Sequence, residues 1–225
     1  MWAVVPLKSP DRAKSRLGSV LSAMQRRRLF FALAEQVIRA LQATRGIETV
    51  AVVTSDAEVA AFTRALNAQL IRQPGDFGTA SAFASAVHEL RPLKLERLLM
   101  IAGDLPLVSP AALERVLAAA DAVTEVVLVP DRRRVGTNAL LCAPPDAMAP
   151  CFGGDSFRQH LAAAEAAGLR ARVVESDELA LDLDVSDDLD YLRIHGLVPA
   201  AQLLKTMSCA DSGGVPSARR AGVSR

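Results

Sequence analysis

The chain has 225 residues, of which 51% are hydrophobic, enough to bury a sizeable core and to exclude wholesale disorder. Its 26 basic and 25 acidic side chains leave a formal charge of +1, which argues against a general nucleic-acid binder, and an aromatic content of 4% argues against a base-stacking platform. No apolar run approaches the ~20 residues that span a bilayer, no charged leader precedes the first strand, and the three widely spaced cysteines match no zinc pattern. These features predict a reduced, soluble protein of the cytoplasm.

Short β-rich runs alternate with longer alanine- and leucine-rich stretches, a pattern typical of βαβ units. The predicted strands are, in chain order, Trp2–Val5, Thr49–Thr54, Gln69–Arg72, Leu98–Ala102, Glu125–Pro130, Ala139–Cys142 and Ala171–Val174. The predicted helices are Ala23–Ala43, Asp56–Asn67, Ser81–Leu90, Pro110–Ala122, Ser156–Ala167 and a short helix from Asp187. This order predicts an α/β protein, a three-layer αβα sandwich with a single mostly parallel sheet. We expect residues 1–206 to form one domain and residues 207–225, rich in Ser, Gly, Pro, Ala and Arg, to be a disordered tail.

The loop after the first strand is strongly basic. Such sheets bind ligands beyond the carboxyl ends of their strands, so polar residues in these loops are the first candidates for a site. Pro6–Gly18 carries four cations within nine residues, Lys8, Arg12, Lys14 and Arg16. Lysine acts as a point charge and arginine as a bidentate fork, and both hold polyphosphate groups. The loop is therefore a candidate triphosphate site, and a solvated basic loop is the alternative.

Carboxylates follow two later segments of the chain. Asp104 comes just after the fourth predicted strand, where a hard oxygen ligand can hold a divalent cation, although Asp is also common as a cap or turn residue. In a strand, Asp182 and Asp184 would point to the same face and repel each other unless a cation lay between them. The alternative is a polar edge strand whose last residues cap the next helix, a role that suits Ser186 or Asp187 better.

Together, the basic loop and the acids describe a site for a metal-bound nucleoside triphosphate. Mg²⁺ usually engages one or two carboxylates together with substrate phosphates. The expected reaction is attack on the α-phosphate with pyrophosphate as the leaving group. Neither a G-x-x-x-x-G-K-[ST] phosphate loop nor a G-x-G-x-x-G motif is present, which argues against P-loop and dinucleotide-binding proteins.

A second anion site is indicated downstream. Arg132–Arg134 lie in a loop that ends in Gly136, Thr137 and Asn138, where backbone amides and a hydroxyl can converge on an anion. Gly153–Ser156 open a predicted helix, and helix N-termini bind phosphate or carboxylate, although an N-cap with a turn is the alternative. These features suggest a small, doubly anionic second substrate.

Five motifs in order carry a resemblance over about residues 2–195. They are Val5–Lys8 with Ala13–Leu17, Asp104–Leu107, Pro130–Arg132 with Gly136–Leu140, Gly153 with Ser156, Phe157 and His160, and Leu181–Asp184. In these motifs the sequence resembles the guanylyltransferases of coenzyme F-420 biosynthesis, which belong to the nucleotidyltransferase superfamily and have its Rossmann-like fold. The resemblance implies transfer of GMP from GTP to 2-phospho-L-lactate, phosphoenolpyruvate or 3-phospho-D-glycerate, with release of pyrophosphate.

The resemblance also implies roles for individual residues. The residues expected to bind Mg²⁺ are Asp104, Asp182 and Asp184. The residues expected to hold the phospho-acid are Thr137, Gly153 and Ser156. The residues expected at the nucleotide are Lys8, Lys14, Arg16 and Thr79, with Asp104, Lys8 and Lys14 as the catalytic groups. Thr79 or Ser81 replaces an asparagine that family members often carry before the third helix. A homodimer and a downstream deazaflavin transferase that takes the product are further expected partners.

Two other classes of function remain open from the residues. Sugar-phosphate and molybdopterin nucleotidyltransferases usually carry a Gly-x-Gly-x-Arg first loop, which this chain lacks. A non-catalytic nucleotide-binding module is compatible with the altered segment Gly78–Ala82, but three acids argue against it. His160, one turn into its helix, is a candidate contact for the acid. His88 is expected to be a surface or packing residue, and Cys142 a core residue.

Overall fold

The computed structural model describes residues 1–11, 13–121 and 123–194, so Arg12 and the predicted tail 207–225 lie outside the described residues. Within that part of the chain seven strands form one sheet. They are β1 (Trp2–Pro6), β2 (Thr49–Thr54), β3 (Gln69–Arg72), β4 (Leu98–Ile101), β5 (Val126–Pro130), β6 (Thr137–Cys142) and β7 (Ala171–Val173).

The strand order is β3-β2-β1-β4-β6-β5-β7, and β6 alone runs against its neighbours β4 and β5. The central strands β4 and β6 are buried along their whole length. Strands covered on both faces are expected to be continuously apolar, as β4 is, whereas β6 is apolar from Ala139 to Cys142 and begins with the buried polar residues Thr137 and Asn138. The predicted single, mostly parallel sheet is confirmed.

Helices cover both faces of the sheet. They are α1 (Ala23–Ala43), α2 (Ala57–Ala65), α3 (Thr79–Leu90), α4 (Pro110–Ala119), α5 (Ser156–Ala166), α6 (Asp177–Ala180) and α7 (Ser186–Ile194). Ser22 is the N-cap of α1: its hydroxyl accepts the Gln25 N–H, and the Gln25 side chain accepts the Ser22 N–H. This reciprocal capping box fixes where the longest helix begins.

Alternating strand residues divide the core into two layers. In β1, Ala3 and Val5 face the core beneath α1, α2 and α4, whereas Val4 faces the core beneath α3 and α5. This is the period-two alternation of a strand, applied to a sheet with two buried faces. The structure is therefore the predicted three-layer αβα sandwich.

A third, smaller apolar cluster joins distant parts of the chain. Its buried members are Leu17, Leu29, Leu33, Leu181, Leu183 and Leu192. They come from the basic first loop, the start of α1, the acidic segment and α7. Burial of these leucines holds the first loop against the acidic segment, although more than 160 residues separate Leu17 from Leu181.

The structure differs from the sequence predictions mainly near the end of the described chain. The predicted strand at Asp182 and Asp184 is wrong: Leu181–Asp184 is extended but pairs with no strand, and its backbone contact is the Leu183 N–H donated to the Asp104 carbonyl oxygen at 3.3 Å. The one-turn helix α6 was not predicted, and α7 begins at Ser186. None of the helices in the described ranges combines the length and apolar character needed to cross a membrane.

Candidate active site

The carboxyl edge of the sheet holds a first pocket of about 310 Å³. Lys8 reaches it from the loop after β1, and Asp104 from the loop after β4. Thr79, the first residue of α3, and Asp184 complete its polar lining, together with Lys14. The structure thus brings five of the predicted site residues to one pocket.

Gly103 allows the two loops at this pocket to approach closely. A Cβ atom at Gly103 would lie 2.5 Å from Cδ2 of Leu7 and 3.1 Å from Cγ1 of Val5. Since both neighbours are buried, any larger residue would push the first loop away from Asp104.

Lys14 is clamped between two acids in this pocket. Its ammonium pairs with the carboxylates of Asp104 and Asp184, the latter at 3.0 Å, and only 4% of its side chain is exposed. Burial alone would lower the pKa of Lys14, but attraction to Asp104 and Asp184 outweighs it, so the pKa is raised. The backbone of Lys14 is in the left-handed region, with φ of 56°, a strained conformation for a residue other than glycine. Lys14 is therefore a fixed positive charge between two carboxylates.

Asp182 lies beside this group with an unusual protonation equilibrium. Burial, followed by repulsion from Asp104 and Asp184, raises the pKa of Asp182 to about 6. Because Leu181 and Leu183 are buried in the third cluster, the residues that alternate with them turn their carboxylates toward Asp104. The three predicted acids are thus gathered in one region although the predicted strand is absent.

The three acids do not form a ready metal cage. Within residues 1–11, 13–121 and 123–194, no three His, Cys, Asp or Glu side chains are placed so that they could hold a metal ion. The physical reason is that the Lys14 ammonium occupies the space between Asp104 and Asp184. The predicted magnesium site at Asp104, Asp182 and Asp184 stays a prediction.

A second pocket of about 330 Å³ adjoins the first and shares Asp184 with it. Its charged lining comes from Arg16, Asp131, Arg132, Arg133, Asp182, Asp184 and Asp188, and Gly153 and Gly154 form part of its wall. Arg16, predicted to contact the nucleotide, lines this second pocket and not the first. Four aspartates line this pocket beside the three arginines, and Asp188 pairs with Arg132. The groups that can bind a small anion here are therefore Arg16, Arg133 and the backbone at Gly153 and Gly154 next to a helix start.

Thr137 and Ser156 lie buried next to residues that line the second pocket. The Thr137 N–H donates to the Ser156 hydroxyl at 2.9 Å, and the Thr137 hydroxyl lies 3.0 Å from Nδ1 of His160. Nε2 of His160 accepts the Cys151 N–H at 2.8 Å, and burial lowers the pKa of His160 to about 4. His160 is thus a neutral, buried part of this region rather than a surface residue.

Sequence reasoning missed Asp188. This buried carboxylate accepts the N–H groups of Asp184 and Val185, both at 2.9 Å, and lies 3.4 Å from the Arg132 guanidinium. Asp188 therefore connects Asp184, which lines both pockets, to Arg132 of the second pocket. Its position four residues after Asp184 is the signal for it in the sequence.

The comparisons with known proteins point in one direction. The model of one protein family, described as "Guanylyl transferase CofC like", matches residues 1–224. A phosphoenolpyruvate guanylyltransferase of Conexibacter woesei is 39% identical over 193 residues, covering 85% of this chain and 86% of that protein. A 2-phospho-L-lactate guanylyltransferase of Methanothermobacter thermautotrophicus is 30% identical over 194 residues, covering 86% and 84% of the two chains.

Solved structures agree on the fold. A nucleotidyl transferase from Methanothermobacter has a TM-score of 0.62 at 21% identity and covers 91% of this chain and 98% of that one. A 4-diphosphocytidyl-2C-methyl-D-erythritol synthase has a TM-score of 0.60 at 15% identity, with coverage of 86% and 97%. At these identities the likeness concerns the fold, which is that of the nucleotidyltransferases.

Proposed function

This chain belongs to the family of CofC-like guanylyl transferases, and from its two pockets we propose that it transfers GMP from GTP to phosphoenolpyruvate. Pyrophosphate leaves in the same step. The family consists of guanylyl transferases, which agrees with the predicted enzyme class. The acceptor substrate and the metal ion are proposals.

The observation that carries this proposal is the pair of pockets that meet at Asp184. The first, with Lys8 and Lys14, suits a triphosphate, and the second, with Arg16 and Arg133, suits a small anion. A transfer reaction needs its two substrates side by side with the reacting atoms in contact. A binding module for one nucleotide would not need the second pocket.

The proposed reaction requires the side chains to position the substrates and to offset their charge, and it requires no general base. The phosphate oxygen of the acid is already ionised at neutral pH, so it can attack the α-phosphorus of GTP without a general base. Lys14, with its raised pKa, remains protonated and offsets negative charge on the triphosphate. His160, buried and neutral, is not placed among the residues that line the first pocket, and the proposed step does not need it as a base.

Magnesium fits the donors of this site in chemical character. Asp104 and Asp182 offer hard carboxylate oxygens, the donor type that Mg²⁺ prefers, and Asp182 does not pair with Lys14. Mg²⁺ held by one or two of these carboxylates would neutralise charge on the phosphate oxygens. In the structure, Asp104 and Asp184 pair with Lys14.

The choice of phosphoenolpyruvate follows the relatives. Relatives that carry its name reach 39% identity, whereas the relative named for 2-phospho-L-lactate is 30% identical. The product would be consumed by a deazaflavin transferase of coenzyme F-420 biosynthesis. That partner, the homodimer and the cytoplasmic location stay predictions, as does the role of Thr79 in holding the nucleotide.

The test is a pyrophosphate-release assay with purified protein. GTP with phosphoenolpyruvate is expected to react faster than GTP with 2-phospho-L-lactate or 3-phospho-D-glycerate, and faster than ATP or CTP with the same acid. Removal of divalent metal with a chelator is expected to abolish release. Release that needs no acid, or no divalent metal, would contradict the proposal.

A variant separates an enzyme from a binding module on the same fold. Asp104→Ala should lower turnover by about 100-fold or more while nucleotide binding, followed by calorimetry, persists. Asp187→Ala, which removes an exposed acid of α7, is the matched control and should leave turnover unchanged. Nucleotide binding without turnover in the wild type would argue for a binding module, and equal turnover in the two variants would mean that transfer does not need Asp104.

A further inference from the structure

Three buried side chains next to the second pocket are joined by a chain of hydrogen bonds. The Cys151 N–H donates to Nε2 of His160 at 2.8 Å, and Nδ1 of His160 lies 3.0 Å from the Thr137 hydroxyl oxygen. The Thr137 N–H in turn donates to the Ser156 hydroxyl at 2.9 Å. The chain crosses from the loop before α5, through α5, to the start of β6.

These contacts fix which nitrogen of His160 carries the proton. A backbone N–H can only donate, so Nε2 must be the acceptor in its contact with Cys151. In a neutral imidazole the proton then lies on Nδ1, which donates to the Thr137 hydroxyl oxygen. The oxygen of Thr137 is thereby used as an acceptor, and its own hydrogen is left to donate.

No acceptor for that hydrogen is found among the described residues, although Thr137 is only 6% exposed. Ser156 is in the same situation, because its oxygen accepts the Thr137 N–H. Two buried hydroxyl groups thus have donor hydrogens to offer. Thr137 and Ser156 do not line the second pocket themselves, but Thr137 follows Gly136 and Ser156 lies two residues after Gly154, and both glycines do. Three arginines and four aspartates supply the charges of that pocket. A hydroxyl donor is what an anionic oxygen requires.

We propose that His160 is a positioning residue that holds the Thr137 hydroxyl as a donor to the phospho-acid in the second pocket. The inference rests on the proposed function, since it needs an anionic acceptor substrate. His160 also packs edge-on against Phe152, with ring centroids 4.9 Å apart, so removal of the ring would disturb packing as well. A useful test must therefore separate the bond to Thr137 from the rest of the ring's contacts.

Asparagine and glutamine make that separation. His160→Asn keeps a donor near the position of Nδ1, toward Thr137, and loses the contact with Cys151. His160→Gln places its amide near the position of Nε2, toward Cys151, and loses the donor to Thr137. With GTP saturating, His160→Gln should raise the KM for phosphoenolpyruvate about tenfold, and His160→Asn should keep it within about threefold of the wild type.

The KM for GTP should change in neither variant, because neither contact reaches the first pocket. His88→Asn, a change at an exposed histidine of α3, is the matched control and should alter no kinetic constant. An equal rise of the phosphoenolpyruvate KM in both variants, or a larger rise in His160→Asn, would overturn the inference. Absence of turnover in the wild type with all three acids would instead overturn the proposed function, and the inference with it.

A second measurement uses the wild-type protein and so does not depend on a variant that folds. ¹⁵N chemical shifts of the His160 ring, read by NMR at neutral pH, should report a protonated Nδ1 and an unprotonated Nε2. The opposite tautomer would leave Thr137 as donor to the ring and would overturn the inference. A double change adds the functional link: in a Thr137→Val background, His160→Gln should cause less than a twofold further change in KM.

Discussion

The surroundings of Asp182 in the folded protein oppose ionisation of its carboxyl group. Its pKa is raised to about 6 by burial and by repulsion from Asp104 and Asp184, compared with an ordinary value of 3.8. As the pH rises from about 4 through 6, the unfolded chain loses this proton before the folded chain does, so the free energy of unfolding falls across that window and stays lower above it. Asp182→Asn removes the carboxylate and therefore this loss.

We expect Asp182→Asn to raise the free energy of unfolding at pH 8 by about 1–3 kcal/mol, with a much smaller gain near pH 4. The measurement is denaturant unfolding at both pH values, with chelator present and no substrate. The same variant should release pyrophosphate far more slowly than the wild type, because the proposed metal loses a ligand. A rise in the free energy of unfolding that does not depend on pH would contradict this account. The control is Asp187→Asn, which neutralises an exposed acid of α7 and should not raise the free energy of unfolding at pH 8.

At the scale of the element, the first turn of α7 holds the acidic segment in place. Asp188 satisfies the Asp184 and Val185 N–H groups at 2.9 Å each and pairs with Arg132, so its loss leaves two part-buried donors without an acceptor. Asp188→Ala should lower the free energy of unfolding by about 1–3 kcal/mol. It should also lower kcat/KM by about tenfold, because Asp184 loses its support in the wall of both pockets.

Denaturant unfolding and steady-state pyrophosphate release measure the two effects of Asp188→Ala separately. Asp187→Ala, one residue earlier in the same turn, changes the same charge at an exposed position and serves as the control. If both alanine variants lost stability equally, the loss would come from the helix start and not from the contacts of Asp188.

Elements with strong local signals could be predicted from the sequence to within a residue or two. Helix α1 has its Ser22 capping box, and β2 is a continuous apolar run between polar residues, so both were predicted with the observed bounds. The segment Leu181–Asp184 has the alternation of a strand, but its leucines are buried against Leu17, Leu29 and Leu33 rather than in the sheet. Alternation of apolar residues indicates which side chains are buried but not what they pack against. Helix α6 was missed because its four residues are too few to show a helical period.

The site was predictable in composition but not in contacts. Loops at the carboxyl ends of strands bring Lys8 and Asp104 to one edge of the sheet, as the topology alone implies. That Lys14 lies between two acids, and that Arg16 faces the second pocket, depends on the third leucine cluster and on the left-handed backbone of Lys14. Such long-range contacts leave no local pattern in a single sequence.

At the scale of the whole molecule, the proposal assigns the two substrates to two pockets that meet at Asp184. The first pocket is lined by the loops after β1 and β4 and by the start of α3, and the second by the loop before β6 and the loop before α5. The basic first loop and the acidic segment before α7 contribute residues to both, Lys14 and Asp184 to the first and Arg16, Asp182 and Asp184 to the second. Lys8 and Arg133 are exposed, each lines only one of these two pockets, and neither takes part in an ion pair found among the described residues. The division therefore predicts that binding of the two substrates can be weakened independently.

Lys8→Ala should raise the KM for GTP about five- to tenfold and leave the KM for phosphoenolpyruvate unchanged, whereas Arg133→Ala should do the reverse. Asp184→Asn, at the residue that both pockets share, should alter both constants. Initial rates over a grid of the two substrate concentrations measure these effects. Lys94→Ala removes an exposed positive charge just before β4, at the opposite edge of the sheet, and should change neither KM. A rise of both constants in Lys8→Ala and in Arg133→Ala alike would mean that the charges act as one diffuse field, and that the two pockets form a single binding site.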